Sequence, residues 1–502
     1  MSGRPALSRH FSKRLSHRKF VERGDFMKKP AFNPYLPGWE YVPDGEPHVF
    51  DGRVYVFGSH DRFGGERFCM ENYVCWSAPA DDLGDWRCEG EIYDKMRDPL
   101  CTGPDRLLFA PDVCRGPDGR YYLYYCFDFE GVVSVAVCDA PAGKYEFYGH
   151  VRWPDGTLLG RREGDPFQFD PGLLNDGGRI YLYTGFCSPT LFGDRKKVPD
   201  RGCMGVELGS DMLTVSSDLH FIAPCWDNAG DTDFDGHEFF EAPSMRKVGE
   251  RYYFIYSSLL SHELCYATGD TPLGTFEYGG TIISNGDIGL DGTGPEEASN
   301  YTGNNHGSIV KILDQWYVFY HRHTNRSQFS RQGCAEKINI LPDGTIPQVE
   351  MTSCGLNGGP LPGRGVYSAG IACNLMSAKG ARMLPVGGGI EDYHPYITQG
   401  GDGVQYIANM TGDSLTCFKY LDLSGVKRIS VWTRGAGVGQ MLVGTYIEET
   451  AMAWIPIGPS EDWTKYSIPV AHGAPCPVTQ LCFVYVGEGA VDFLKFELEG
   501  DG

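Results

Sequence analysis

The amino-acid sequence predicts an all-β chain in two parts, a five-bladed β-propeller followed by a jelly-roll-like β-sandwich. Three observations carry this prediction. Aromatic residues make up 13% of the chain and glycines number 67, a mixture of strand formers and turn formers with little that favours long helices. A Tyr-rich hairpin pattern recurs five times. Beyond about residue 346 that pattern stops, and short strands follow one another at closer intervals.

The repeat reads Arg53 to Ser59, Arg120 to Tyr125, Arg179 to Gly185, Arg251 to Ser257 and Gln315 to His321, at spacings of 67, 59, 72 and 64 residues. Each copy follows a turn: Asp51-Gly52, Asp118-Gly119, Gly177-Gly178, Gly249-Glu250 and Leu313-Asp314. A turn followed by a Tyr-rich, β-branched run is a hairpin signal. A third strand comes next, over Tyr73 to Ala78, Val132 to Val137, Cys203 to Leu208, Leu264 to Thr268 and Cys334 to Ile340. Sheets repeating at this period mean a propeller or a solenoid, and five large units with decorated loops suit the radial arrangement.

At 502 residues the chain exceeds what one core supports, so two domains are expected. The propeller is assigned to residues 31–348. A Gly/Pro-rich connector, including Cys354 to Gly365, spans 349–365. Strands at Gln405 to Ala408, Thr416 to Leu421, Arg428 to Thr433, Gln440 to Thr445, Gln480 to Val486 and Phe493 to Leu498 read as a sandwich over 366–502. Residues 1–30 hold nine Lys or Arg against Glu22 and Asp25. They read as a disordered or peripheral leader, with a targeting or anion-binding arm as the functional alternative.

Lys and Arg number 44 against 65 Asp and Glu, a net charge of −21. Such a surface repels phosphate backbones and anionic membranes, so neither nucleic acid nor membrane is expected as a partner. No apolar run approaches the ~20 residues of a membrane helix, and the N-terminus lacks an apolar signal core. A cytoplasmic location is therefore expected. The 17 cysteines are odd in number and scattered, several in predicted strands (Cys75, Cys114, Cys265, Cys373). They read as buried free thiols rather than a disulfide frame. No Cys-x-x-Cys pair offers a structural zinc site.

The segments preceding the repeats carry the chemistry. They are Pro43 to His48, Phe109-Ala110-Pro111-Asp112, Gln168 to Gly172, Phe239 to Ser244, and Asn304 to Ser308. The first strand of each propeller blade lines the central channel. Carboxylates at four such positions would converge there, and packing alone does not explain this, because buried carboxylates cost several kcal/mol unless paired. Clustering also drives their pKa values apart, as acid–base chemistry requires. A turn or cap role remains the plain alternative for any one of them.

These segments resemble glycoside hydrolase family 43, five-bladed propeller enzymes acting on arabinan and xylan fragments. The resemblance runs over roughly residues 31 to 350 and rests on Asp44 through Gly58-Ser59, Asp112, Phe169-Asp170-Pro171, Glu241-Ala242-Pro243-Ser244 and Asn305-His306-Gly307-Ser308. It implies that Asp44 is the general base that activates water. It implies likewise that Asp170 raises the acid's pKa and orients it, and that Glu241 is the general acid. The sequence departs from the family at two points: Gly45 follows the base where Pro is usual, and Ala242 replaces a Gly. Glu46 and Glu238 are the competing base and acid.

His306 matches the family histidine near the axis, beside a calcium ion or a water cluster; a buried core histidine is the alternative. A structural Ca²⁺ in the channel, reached from His306 through water, is thus part of the expectation, while no cofactor is needed for the chemistry. Asp112 is expected to hold substrate hydroxyls. Arg331 is read either as a sugar clamp or as a surface ion pair. Phe109, Trp39 and Trp76 are candidate surfaces for a sugar's apolar face. The second domain resembles a family 6 carbohydrate-binding module through Trp432 to Gly435, Gly437, Trp463 and Val491 to Phe496; a structural role is preferred over independent sugar binding.

The function implied is an inverting, exo-acting α-L-arabinofuranosidase, with β-D-xylosidase activity alongside, working on arabinose- or xylose-containing oligosaccharides from hemicellulose or arabinan. Two alternatives stay open. A propeller phosphorylase would need a cationic phosphate pocket, for which Arg161-Arg162 is the nearest candidate. A non-catalytic glycan-binding protein would be expected to have lost a carboxylate.

Overall fold

The computed structural model describes residues 31–189, 202–445, 451–474 and 476–500. The basic segment 1–30 lies outside the described residues. Blade one is an antiparallel sheet of Glu46–Phe50, Arg53–Phe57, Tyr73–Pro79 and Arg87–Tyr93. Blade two runs Leu108–Arg115, Tyr121–Phe127, Val133–Cys138 and Glu146–His150. Blade three comprises Gly172–Asp176, Arg179–Thr184, Cys203–Leu208 and His220–Ala223, and blade four Phe239–Val248, Arg251–Ser258, Glu263–Gly269 and Glu277–Ser284. Blade five has three described strands, Ser308–Ile312, Gln315–His323 and Arg331–Ile338.

The first strands of successive blades lie against one another around the ring. A parallel bridge from Gly45 to Gly307 closes the ring between blades one and five. The Tyr-rich repeats are the second strands, and their composition follows from their position. Each is covered on both faces by neighbouring blades, so it reads apolar throughout rather than alternating. In Tyr121–Phe127 the side chains still take opposite faces. Tyr121, Leu123 and Tyr125 pack with Tyr55, Phe57 and Tyr73 of blade one, whereas Tyr122 and Tyr124 pack with Leu173, Ile180 and Leu182 of blade three. Further clusters join blades three and four, four and five, and five and one. Each fully buried ring in these clusters contributes about 1.5–3 kcal/mol of burial.

The fourth strands escape the sequence pattern because they are half-exposed at the rim and alternate poorly.

The second domain is a two-sheet sandwich. One sheet runs Leu361–Pro362, Ser414–Asp422, Val478–Glu488, Val438–Gly444 and Ala453–Ile457, with Asn374–Met376 beside Ser414–Asp422. The other runs Tyr396–Gln399, Gln405–Met410, Val491–Gly500, Val426–Gly435 and Ser460–Pro469, with Gly365–Ser368 beside Val491–Gly500. The stretch between the domains is pinned at both ends. Val349 bridges Ile283 of blade four, and Leu361–Pro362 pairs in parallel with Ser414–Asp422.

The expectation of only free thiols is corrected at one pair. Cys417 and Cys482 form a disulfide. They stand directly opposite in an antiparallel pair with Cα atoms 4.1 Å apart, and side chains so opposed leave the same face of the sheet. The 65-residue separation hides this register in the sequence. Among the described residues the other 15 cysteines form no disulfide.

Candidate active site

The site lies where the inner strands enter the channel. Asp44 and Asp170 each stand two residues before an inner strand, with φ of 56° and 46°. Asp is among the few non-glycine residues that tolerate this left-handed region, and the turn there swings each carboxylate onto the axis. Glu241 lies within Phe239–Val248, at an irregularity in its pairing with Arg251–Ser258. The Gly after Asp170-Pro171 is required by packing: a Cβ on Gly172 would sit 2.0 Å from the Pro243 carbonyl oxygen, so blades three and four meet backbone to backbone beside the acid.

Arg331 organises the base. Its Nη1 donates to Asp44 Oδ1 at 2.8 Å, its Nε to Asp61 Oδ2 at 2.9 Å and its Nη2 to Asp61 Oδ1 at 3.0 Å. Its guanidinium lies 4.8 Å from the centre of the Phe68 ring. Burial alone would raise the Asp44 carboxyl. The Arg331 guanidinium outweighs that and holds Asp44 well below the usual carboxylate range. His321 Nδ1 stands 3.3 Å from Asp44 Oδ1.

His306 stands between the two aspartates, its Nδ1 3.7 Å from Asp170 Oδ2 and 4.0 Å from Asp44 Oδ1. Burial lowers its pKa to about 4, so the ring is neutral. Burial also raises Glu241 to about 8, with the Asp44 charge adding to the rise. Asp170 is pushed well up by burial and by Glu241. The Asp170–Glu241 pair therefore holds a proton at neutral pH while Asp44 does not. The site thus contains an ionised base and a protonated acid, the division of labour that proton transfer to and from a substrate needs.

The competing carboxylates are otherwise engaged. Glu46 is buried one layer away and paired with Arg246 Nη2 at 2.6 Å; Glu238 accepts from Gly236 N in the loop before the strand. Several sequence expectations are corrected. Asp112 is 0% exposed and its oxygens are taken by His48 Nε2, Val113 N and Leu173 N at 2.6, 2.6 and 2.7 Å. It braces the inner strands and is buried among them rather than presented to a sugar. Arg331 is not a surface pair: it is 2% exposed and bonds Asp61, Asp44 and Cys69 Sγ. Trp39, 42% exposed, packs 6.0 Å from Trp76 and against the Gly403 turn of the sandwich.

Phe109 does border the site, as one end of an aromatic arc through Phe169, Phe186 and Phe240 with centroid spacings of 5.0, 4.9 and 5.3 Å. Phe169 and Phe240 immediately precede Asp170 and Glu241. Asp61, Cys69 and His321 complete the surroundings of the base and were not anticipated. A histidine in a run of buried Tyr and Phe is the signal that marks His321.

Calcium takes 6–8 oxygen ligands. Among the described residues His306 belongs to no group of three side chains that could ligate an ion directly.

Residues 42–346 match the family described as Glycosyl hydrolases family 43. The chain belongs to that family. A xylosidase/arabinosidase from Thermoclostridium stercorarium is 53% identical over 480 residues, which cover 94% of this chain and 99% of that protein. One from Bacteroides ovatus is 29% identical over 320 residues, 57% of this chain and 87% of that protein. Among solved structures, a family 43 β-xylosidase/α-arabinofuranosidase from a compost microbial metagenome, in complex with xylotriose, is 27% identical with a TM-score of 0.49, covering 66% of this chain and 98% of that one.

The family 43 chain is therefore a glycoside hydrolase. The phosphorylase alternative is not supported, because Arg161 and Arg162 are spent on Glu130 and Asp155 at 2.5 and 2.7 Å. In the sandwich, Trp432 lies between Lys465 and Lys495, and Trp463 lies under Arg434. Those aromatic faces are occupied by the domain's own cations. No helix among the described residues is long and apolar enough to cross a membrane.

Proposed function

We propose that this enzyme is an inverting, exo-acting α-L-arabinofuranosidase that also accepts β-D-xylosides, releasing single sugars from hemicellulose or arabinan oligosaccharides. One observation carries the reading: Arg331 Nη1 pairs with Asp44 Oδ1 at 2.8 Å and His306 stands between Asp44 and Asp170, an arrangement in which Arg331 favours an ionised Asp44 while burial favours a protonated Asp170–Glu241 pair. Asp44 takes a proton from a water molecule as that water attacks the anomeric carbon. Glu241 gives its proton to the glycosidic oxygen as the carbon–oxygen bond breaks. Asp170 orients Glu241 and shares its proton between turnovers. Single displacement of this kind inverts the anomeric centre.

The relatives named xylosidase/arabinosidase support the choice of sugars. That 15 of the 17 cysteines stand outside a disulfide supports a reducing, cytoplasmic location, where short oligosaccharides rather than polymers are met.

Nitrophenyl α-L-arabinofuranoside and β-D-xyloside are the test substrates, with the product anomer followed by proton NMR in the first minutes. Turnover with an inverted product is expected. No turnover of either, or a retained anomer, overturns the proposal.

A further inference from the structure

The sandwich reaches the catalytic base through a chain of hydrogen bonds. The loop joining Gln315–His323 to Arg331–Ile338 carries Gln328, which is buried. Its Nε2 donates at 2.7 Å to the carbonyl oxygen of Leu384, a residue of the sandwich core. Its Oε1 accepts the Asn304 backbone N–H at 2.9 Å. The Asn304 carbonyl oxygen lies 2.8 Å from His321 Nε2, and Asp44 N lies 3.3 Å from His321 Nδ1.

The direction of this chain is fixed by its ends. A carbonyl oxygen only accepts, so the network assigns the ring proton of His321 to Nε2. Nδ1 is then the acceptor for the Asp44 N–H. That bond holds Asp44 in the left-handed backbone conformation that turns its carboxylate into the channel. Such a conformation costs ~1–3 kcal/mol and persists only where the surroundings over-determine it. The same loop is tied to the sandwich elsewhere: Asn325 N donates to the Ile397 carbonyl oxygen at 2.8 Å, and Thr398 Oγ1 to Asn325 Oδ1 at 3.1 Å.

We propose that Gln328 is a positioning residue through which the C-terminal sandwich holds Asp44, by way of Asn304 and His321, in its catalytic orientation. The sandwich is thereby part of the active site's construction, whether or not it binds sugar. The inference rests on Asp44 being the base.

The test compares Gln328→Met, which keeps length and loses both hydrogen bonds, with Tyr420→Phe, which loses a contact between the sandwich and the connector, Tyr420 Oη to Glu350 Oε1. Gln328→Met is expected to lower kcat by about 10- to 100-fold, the order that a misplacement of ~1 Å costs, with KM changed less than about twofold. Tyr420→Phe is expected to leave kcat and KM alone. An unchanged kcat in Gln328→Met, or a parallel change in both parameters matching Tyr420→Phe, overturns the proposal. Should Gln328→Met fail to fold, Gln328→Glu reads the same split. It keeps an oxygen for Asn304 and loses the donor to Leu384. Asp44→Ala is assayed alongside. Activity retained in that variant overturns the assignment of the base; activity lost there, with Gln328→Met unaffected, overturns only the coupling to the sandwich.

Discussion

Arg331 and Asp44, 287 residues apart in sequence, meet in a buried ion pair with Nη1 2.8 Å from Oδ1. The other edge of the same guanidinium is bidentate to Asp61. One cation thus neutralises two buried carboxylates and keeps the first of them ionised. Arg331→Met removes that support. Loss of activity by at least ~100-fold is expected, the order attached to a displaced general base, together with ~3–5 kcal/mol of stability for stranding buried charge.

The sign of the pH effect follows. Asp44 is depressed in the folded protein, so it contributes stability above its unfolded pKa that is lost as pH falls through the folded value. Without Arg331 the folded value rises, and the acidic limb of kcat/KM moves to higher pH. Arg331→Lys is expected to behave similarly, because a single ammonium cannot reach Asp44 and span Asp61 together. An acidic limb that stays where it is in both variants would show that Arg331 does not set the charge on Asp44.

Glu241 sets the opposite limb. With its carboxyl raised to about 8, the acid is protonated at neutral pH, and kcat/KM is expected to decline as pH rises through about 8. The linkage runs the same way. A carboxyl raised on folding contributes stability that is complete below its unfolded value and lost as pH climbs through the folded one. Glu336, also raised to about 8 by burial, adds to this, so the melting temperature should fall between about pH 5 and 8. Glu241→Gln should flatten that fall and remove the alkaline limb. It should also impair an alkyl xyloside far more than a nitrophenyl one, since a good leaving group needs less protonation. Equal loss on both substrates would assign the acid elsewhere.

How far the sequence carried depends on where each residue's role is decided. Asp44, Asp170, Glu241 and His306 were legible because each sits at the same point of a repeated unit, and repetition around an axis converts sequence position into proximity. The Tyr-rich strands were legible because burial on both faces leaves a composition that no solvent-facing strand shares. Asp112 carried the same positional signal and a different role, since what distinguishes it is its full burial against the backbone N–H of Leu173 and the ring of His48. Asp61 and Gln328 had no local signal, as their partners lie on another blade or in the other domain; His321 is marked only as a histidine within a buried Tyr- and Phe-rich strand. The Cys417–Cys482 pairing depended on strand register, which spacing does not encode.

Ala242 tests the departure from the family pattern. It follows the acid directly, at φ 66°, and its N–H bonds to Asp170. An alanine there bears about 1–2 kcal/mol of backbone strain that glycine lacks. Ala242→Gly relieves it and loses one buried methyl, about 0.8 kcal/mol, together with ~0.5–1 kcal/mol of glycine's extra backbone entropy. Stability within about 1 kcal/mol of the parent is expected, with activity retained. Ala242→Val places a β-branched residue in the left-handed region, where it does not fit. That variant should lose most activity and several degrees of melting temperature. A fully active Ala242→Val would show that the acid's position does not depend on this turn.

Separating the two domains is the most demanding test of how they are joined. Arg322 of blade five is buried, with Nη1 3.0 Å from the Ala372 carbonyl oxygen and Nη2 2.6 Å from that of Gly370. Lys419 of the sandwich is buried in turn between Asp287 and Glu350, at 3.0 Å from each. Tyr301, on the propeller side, belongs to the sandwich core. Ending the chain at residue 348 strips these partners, exposes that apolar surface, and frees the loop that leads into Arg331. An aggregation-prone product is expected, with kcat/KM on nitrophenyl arabinofuranoside at least ~10-fold lower in whatever soluble fraction is recovered. Light scattering and steady-state kinetics on residues 1–348 decide the matter. A monodisperse propeller with the parent's kcat would mean that the sandwich only sits beside the catalytic domain and that the loop before Arg331 keeps its shape unaided.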